Sequence, residues 1–161
     1  MTEQAVVATG ALSTDELLAH WQGHRGLTRR VIEAFPDDQL FVYRVAPMRT
    51  FGELVHEMLH MTVPIAVGAA TGEWRGYGAG ELPRDKAGLL GLWDRDTAKL
   101  NDLWARVTPE RLHEDEVAFG QYPGKIISHV LYAIDNEIHH RAQGYVYLRA
   151  LGVEPPPFWE R

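Results

Sequence analysis

Four polar residues that can bind a metal or carry a proton lie close together near the end of the chain. Asn136, Glu137, His140 and Arg141 fall within residues 126–151, where apolar residues recur with the period of a helix. At about 100° per residue, Arg141 lies inside the apolar face, Glu137 lies at its edge, and His140 lies on its shoulder. Burying a carboxylate costs several kcal/mol unless it is paired or binds a cation. The spacing therefore predicts either a metal site or a buried polar network.

A second candidate site is the segment His56-Glu57-Met58-Leu59-His60, which matches the HExxH pattern of zinc metalloproteases. Its neighbouring apolar residues predict a helix on which His56 and His60 point away from the core. A zinc protease also needs a third ligand and a substrate cleft, so we interpret both histidines as surface residues. Glu57 lies on the shoulder of the apolar face, a position that resembles that of His140 on the last predicted helix.

Composition limits the classes of function. The 161 residues are 45% hydrophobic, enough for one well-filled domain over residues 1–161. The absence of cysteine excludes disulfides and thiolate ligands, so a transition metal would need histidine, carboxylate or amide ligands. A net charge of -6 argues against a nucleic-acid partner. Because no apolar run reaches membrane-spanning length and the N-terminus lacks signal-peptide order, we expect a cytoplasmic protein without a membrane partner.

The order of apolar and capping residues predicts four helices and little else. Ser13 with Glu16, and Thr50 with Glu53, are capping pairs that start the first and second helices, after a weakly patterned lead-in before Ser13. Pro64 is expected to bend the second helix or to shorten its end, because proline removes a helical hydrogen bond. The fold class predicted from these signals is all-α.

The sequence also predicts the form of the segments that connect the helices. Residues 69–83 are rich in glycine and long enough to cross the end of a bundle, so the second and third helices would run parallel. The third helix is predicted over residues 86–107, and residues 40–46 are predicted to form an extended connector. Residues 108–116 are predicted to be a charged turn, and the proline-rich tail after Gly152 is predicted to lie along the bundle.

The segment Asn136-Glu-Ile-His-His-Arg-Ala-Gln143, with residues 144–152 after it, resembles the last helix of the DinB/YfiT-like family of small bacterial proteins. Residues 51–57 resemble the second helix of that family. The resemblance implies a four-helix bundle in up-down-down-up order, with a long crossover between helices two and three, and it implies frequent homodimers. It also implies a divalent metal, zinc or nickel for example, held by one histidine from the second helix and two from the last. Some members are thiol-dependent transferases or isomerases.

Only part of the implied ligand set is present. His140 matches the last ligand of the family, whereas Asn136 occupies the position four residues earlier, and Glu57 aligns with the ligand of the second helix. An amide oxygen is a poor ligand for zinc or nickel, while carboxylate and imidazole are acceptable together. Glu137 could supplement them as a Glu-x-x-His pair. A shift of one residue in the second helix would restore His56 as a ligand, at the expense of the apolar face.

Three hypotheses of function follow from these residues. The first is a metal-dependent enzyme, a thiol-dependent transferase or hydrolase acting on a small molecule through open coordination positions. The second is a metal-free, small-molecule-binding relative with a buried polar network in place of the metal, formed by Glu57, Asn136, Glu137, His140 and Arg141. The third is a structural protein whose function lies in its dimer interface. The sequence assigns no catalytic residue.

Overall fold

A computed structural model describes residues 11–78 and 80–161, which leaves most of the predicted lead-in outside the described residues. The described residues are mostly helical. Their elements in chain order are α1 (Thr14–Ala34), α2 (Phe51–Thr71), α3 (Lys86–Trp104), α4 (Pro109–Leu112), β1 (Asp115–Ala118), β2 (Tyr122–Lys125) and α5 (Ile126–Ala150). The four long helices pack so that α1 and α2 each contact both α3 and α5. None of the described helices is long and apolar enough to cross a membrane.

The predicted capping pairs start α1 and α2. The Ser13 hydroxyl accepts a hydrogen bond from the backbone N–H of Glu16, and the Glu16 carboxylate accepts one in return from the backbone N–H of Ser13. Thr50 and Glu53 repeat this arrangement at the start of α2. The prediction for Pro64 was wrong about the end of the helix, because α2 continues past it to Thr71.

Two apolar clusters fill the two ends of the bundle, and a layer of buried polar residues lies between them. The cluster at one end includes Leu17, Trp21, Met61, Ile65, Leu100, Trp104, Ile126, Val130 and Ile134. The cluster at the other end includes Val31, Ile32, Phe51, Leu54, Met58, Leu89, Trp93, Tyr147 and Leu148. The polar layer contains His24, Arg25, Thr28, Glu137, His140 and Arg141. The helices therefore place these polar side chains at mid-height of the bundle, between the two apolar clusters.

The segment predicted as a charged turn, residues 108–116, contains a short helix and the beginning of the first strand of a hairpin, which corrects that prediction. β1 and β2 pair antiparallel from Asp115 with Lys125 to Ala118 with Tyr122. Arg111 holds the hairpin against the end of α2, because its guanidinium donates to the carbonyl of Ala69 and also contacts the Glu116 carboxylate. Strands of four residues give little periodic signal in a sequence, so this tertiary anchoring was not predicted.

Two other boundaries also differ from the predictions. The predicted extended connector at residues 40–46 contains turns, since the backbone N–H of Tyr43 donates to the carbonyl of Gln39. α3 ends at Trp104, three residues before the predicted end at Val107, and the chain then turns. Neither difference changes which residues of the four long helices face the polar layer.

Gly144 allows α5 to approach α2 closely, which gives a stability prediction. A Cβ at Gly144 would lie 2.4 Å from Cε2 of the Phe51 ring. Gly144→Ala should therefore lower the free energy of unfolding by about 1–3 kcal/mol through overpacking, measured by urea denaturation. Gly26→Ala is the matched control, because a Cβ there would meet no atom of residues 11–78 and 80–161 within 4 Å. The control should raise the free energy of unfolding by up to about 1 kcal/mol, and equal effects of the two substitutions would contradict the packing.

Candidate functional site

The Glu57 carboxylate joins α2 to α5 through hydrogen bonds. Asn136 Nδ2 donates to Glu57 Oε1 at 2.9 Å, and His140 Nε2 lies 3.0 Å from the same oxygen. The second carboxylate oxygen, Oε2, lies 2.6 Å from Nη1 of Arg49, which precedes the N-cap of α2. We call these four residues, Arg49, Glu57, Asn136 and His140, the Glu57 cluster. It unites the three residues predicted as metal ligands with one basic residue that was not predicted.

Hydrogen bonding controls the charge of the Glu57 cluster. Burial alone would raise the pKa of Glu57, but the hydrogen bonds from His140, Asn136 and Arg49 outweigh burial and lower that pKa to about 2. Burial lowers the pKa of His140 even though the hydrogen bond to Glu57 opposes this shift. At neutral pH the cluster therefore contains an ionised carboxylate and a neutral imidazole that donates its Nε2–H.

The neutral tautomer of His140 leaves one lone pair unused. With Nε2 donating to Glu57, Nδ1 of His140 is a buried acceptor without a hydrogen-bond partner among residues 11–78 and 80–161. Oδ1 of Asn136 is likewise buried and unpartnered within the same residues. Both side chains thus donate a hydrogen bond to the Glu57 carboxylate, while their acceptor atoms form no hydrogen bond with it.

Glu137 and Arg141, predicted as additional residues of this site, lie in a different network on the α1 side of α5. Glu137 Oε1 accepts a hydrogen bond of 2.6 Å from the Thr28 hydroxyl, and Arg141 donates to that same hydroxyl at 3.0 Å. Arg25 Nη1 lies 3.7 Å from the other carboxylate oxygen of Glu137. Burial raises the pKa of Glu137, opposed by Arg25. Glu137 therefore does not supplement Glu57 and His140 as part of a Glu-x-x-His ligand pair.

His56 and His60 also lie apart from the Glu57 cluster, as the helical period predicted. Instead of facing open solvent, both rings meet the segment that precedes α3. His56 Nε2 lies 2.7 Å from the carbonyl oxygen of Pro83, and His60 Nε2 lies 3.2 Å from that of Gly80. Burial lowers the pKa of His56, so its ring is neutral at neutral pH. The HExxH histidines thus hold a connecting segment against α2.

A cavity of about 330 Å³ opens one helical turn from the Glu57 cluster, between α2, α5 and the hairpin. Met61 lies four residues after Glu57 on α2, and Tyr132 lies four residues before Asn136 on α5, and both line the cavity. The remaining wall is formed by Ile65, Tyr77, Ala118, Phe119, Tyr122, Pro123, Gly124, Ser128 and His129. Its volume falls within the roughly 300–1,000 Å³ of small-molecule sites.

Neither Arg49 nor the wall of the cavity was predicted from the sequence. Arg49 lies outside every predicted helix, and only the fold brings its guanidinium to Glu57. Tyr77 and Phe119 lie in irregular segments on opposite sides of α3 in the chain, yet their ring centroids are 5.1 Å apart. Arg25 is different, because it follows the buried Trp21 by four residues on α1 and helical spacing would have placed it in the core.

The Glu57 cluster does not fit a transition metal well. Glu57 and His140 are two suitable ligands, whereas metal sites of this kind usually use at least three from the protein. Asn136 turns its amide nitrogen toward Glu57, and Arg49 places a positive charge 2.6 Å from the carboxylate that a cation would need. In the part of the chain that the structure describes, no three His, Cys, Asp or Glu side chains are grouped to hold a metal ion.

Comparison with known proteins relates part of the sequence to a family. The model of the DinB family matches residues 87–161, which include α3 except for its first residue, the hairpin and α5. No curated protein matches the sequence. The matched residues contain Asn136 and His140, whereas Glu57 and Arg49 lie before them.

Solved structures share the fold over most of the chain. A DinB-like protein from Bacillus subtilis has a TM-score of 0.75 at 23% identity, covering 90% of this chain and 97% of that one. A DinB-like protein from Bacillus cereus has a TM-score of 0.76 at 17% identity, covering 93% and 100%. A mycothiol-dependent maleylpyruvate isomerase has a TM-score of 0.64 at 13% identity, covering 83% of this chain and 61% of that one. At these identities the likeness concerns the fold.

Proposed function

We propose that the chain is a metal-free small-molecule-binding protein of the DinB/YfiT-like family, because the model of the DinB family matches residues 87–161 and DinB-like proteins share the fold. In this proposal the Glu57 cluster stands where a metal centre was expected, and the adjoining cavity receives the ligand. The observation that carries it is that Glu57 accepts from Asn136, His140 and Arg49 together. Two neutral donors and the Arg49 guanidinium satisfy an ionised carboxylate without a metal ion.

The electrostatics of the Glu57 cluster favour a role in ligand binding over a role in proton transfer. A carboxylate with a pKa of about 2 is a weak base at neutral pH, so Glu57 is poorly suited to general base catalysis. Its role in this proposal is to fix the side chains of Asn136 and His140, and with them the spacing of α2 and α5 beside the cavity. The cavity is the part of the site that contacts the ligand.

We also propose the up-down-down-up order of the bundle. The early part of α1 and the early part of α5 contribute to the same apolar cluster, represented by Trp21 and Val130. The late parts of α2 and α3 contribute to that cluster too, represented by Ile65 and Trp104. These positions support α1 running parallel to α5, and α2 parallel to α3, with the glycine-rich residues 72–85 as the crossover.

A homodimer in the cytoplasm is part of the same proposal. Several large apolar side chains remain exposed on α5 and in the tail, among them Leu131, Val146, Phe158 and Trp159. Exposed apolar groups of this kind support association with a second copy, since two-fold homo-oligomers are the commonest assemblies.

Thermal melting in the presence of metal tests the proposal. Protein purified without a histidine tag and treated with chelator should melt at the same temperature with or without zinc or nickel. An ion that bound only the folded state at a hundredfold excess over Kd would stabilise it by about 2.7 kcal/mol, a shift of several degrees. A shift of that size in the unmodified protein, absent in His140→Ala and retained in His56→Ala, would contradict the metal-free proposal.

That contrary result would support the second candidate, a metal-dependent enzyme of the thiol-dependent transferase or hydrolase kind. The observation in its favour is that Glu57 Oε1 and His140 Nε2 lie only 3.0 Å apart, so one ion could contact both after loss of the Nε2 proton. The mycothiol-dependent isomerase with the same fold supports it as well. Asn136 and Arg49 oppose it for the reasons given above, which is why we place it second.

A further inference from the structure

We propose that the cavity between α2, α5 and the hairpin binds a neutral molecule of one or two aromatic rings that carries a hydroxyl group. This inference rests on the small-molecule function proposed above and names the class of ligand. Four properties of the cavity lead to it: its volume, its aromatic wall, the absence of charged side chains among its described lining residues, and a polar atom that has no partner in the described part of the chain.

The volume limits the size of the ligand. An apolar cavity of about 150 Å³ is enough to hold benzene. The cavity beside the Glu57 cluster measures about 330 Å³, so it accommodates one ring with a substituent or two fused rings. A longer ligand would have to extend past Tyr132 and Tyr122, which remain partly exposed at the cavity wall.

The wall favours a flat aromatic ligand. Tyr77, Phe119, Tyr122 and Tyr132 place four aromatic rings around the cavity, and Met61 and Ile65 form its apolar floor on α2. Aromatic rings pair in offset-stacked or edge-to-face arrangements that add to the gain from apolar burial. Aliphatic ligands of the same volume would obtain only the apolar gain.

The charges around the cavity favour a neutral ligand. None of the lining residues in the described part of the chain is Lys, Arg, Asp or Glu. An anion would find no cation in the wall and would be repelled by the ionised Glu57, which lies near enough to Tyr77 to add to the rise in its pKa that burial causes. A cation would lose its hydration on entry without a carboxylate in the wall to replace it.

The hydroxyl group of the ligand is inferred from His129, which lies at the cavity wall. Nε2 of His129 is buried beside Gly124 and has no hydrogen-bond partner within the described residues. Depending on the tautomer, Nε2 donates or accepts, and a hydroxyl is a small group that can do either. A ligand hydroxyl that reaches this nitrogen would supply the partner that the protein does not.

Isothermal titration of the full chain with 2-naphthol and with naphthalene tests the proposal. 2-Naphthol should bind at one site per chain about tenfold more tightly than naphthalene, the gain expected from one hydrogen bond. Ile65→Trp, which fills the cavity, should abolish binding of both compounds. His129→Phe should reduce the affinity for 2-naphthol to that for naphthalene, whereas Tyr145→Phe, which alters α5 outside the cavity, should leave both affinities unchanged.

Several results would overturn the ligand class. They are the absence of saturable binding by 2-naphthol, equal binding to Ile65→Trp, an affinity for naphthalene equal to that for 2-naphthol, and tighter binding of tetramethylammonium or 2-naphthalenesulfonate. The proposed function fails separately, through a zinc-dependent or nickel-dependent melting temperature. A flat metal response without naphthol binding would therefore refute the ligand class alone.

Discussion

Arg25→Met should lower the free energy of unfolding by about 3–5 kcal/mol, because it breaks a buried ion pair by removing one partner. The Arg25 side chain is fully buried, and its guanidinium donates to the Thr97 hydroxyl at 2.7 Å and to the Thr62 hydroxyl at 3.1 Å. It also lies 3.9 Å from the centre of the Trp93 ring. The substitution would leave Glu137 buried with Arg141 as its remaining cationic neighbour, at 3.9 Å.

Arg29→Met provides the matched control for that prediction. Arg29 lies one turn further along α1, and its guanidinium pairs with Asp94 at 2.7 Å, but both side chains are substantially exposed. Exposed ion pairs contribute about 0–1 kcal/mol. Urea denaturation of the two variants at neutral pH measures the difference. Losses of similar size would show that burial of Arg25 does not determine its contribution.

Glu57→Gln should remove a contribution to stability that depends on pH between about 4.5 and 2. The pKa of Glu57 is lowered from 4.5 to about 2 in the folded chain, so its contribution is fully present above the unfolded value and is lost as pH falls toward the folded value. The shift corresponds to about 2 kcal/mol after allowance for solvent screening of a side chain that is 29% exposed. The variant should therefore be about 2 kcal/mol less stable at pH 7, with the difference shrinking as the solution is acidified.

Glu33→Gln serves as the control for the acid response. Glu33 is an exposed carboxylate that pairs with Arg29 one turn away, an arrangement that contributes only about 0.3–0.5 kcal/mol. Denaturant unfolding at a series of pH values would compare the two variants with the unmodified protein. A constant difference between Glu57→Gln and the unmodified protein from pH 6 to pH 3 would show that the hydrogen bonds to Glu57 do not hold its pKa down.

The helical period of the apolar residues predicted which side chains of α5 are buried. It could not predict which neighbouring helix each buried side chain faces. Glu137 and Arg141 are buried as their positions indicated. Glu137 and His140 are about 60° apart around α5, and this small angle led to the prediction that they share one site. Because α5 packs on both α1 and α2, that angle separates them, so Glu137 contacts Thr28 of α1 and His140 contacts Glu57 of α2.

The apolar pattern of α2 correctly predicted that Glu57, and not His56, faces α5. The pattern placed Glu57 on the shoulder of the buried face and His56 outside it, and the structure brings Glu57 to Asn136 and His140. The partners that come from irregular segments could not be predicted in this way. Arg49 and Tyr77 reach the site through the path of the chain, which depends on the packing of the whole bundle and leaves no periodic trace.

The central claim is that a hydrogen bond from neutral His140 to Glu57 takes the place of a metal bond. Long-range nitrogen–proton NMR of the imidazoles at pH 7 tests this claim most directly, because it reports which ring nitrogen carries the proton. The metal-free proposal predicts a protonated Nε2 and an unprotonated Nδ1 on His140, unchanged by one equivalent of zinc. Loss of the Nε2 proton on addition of zinc, with Glu57→Gln preventing that loss, would contradict the claim, because metal binding requires that lone pair.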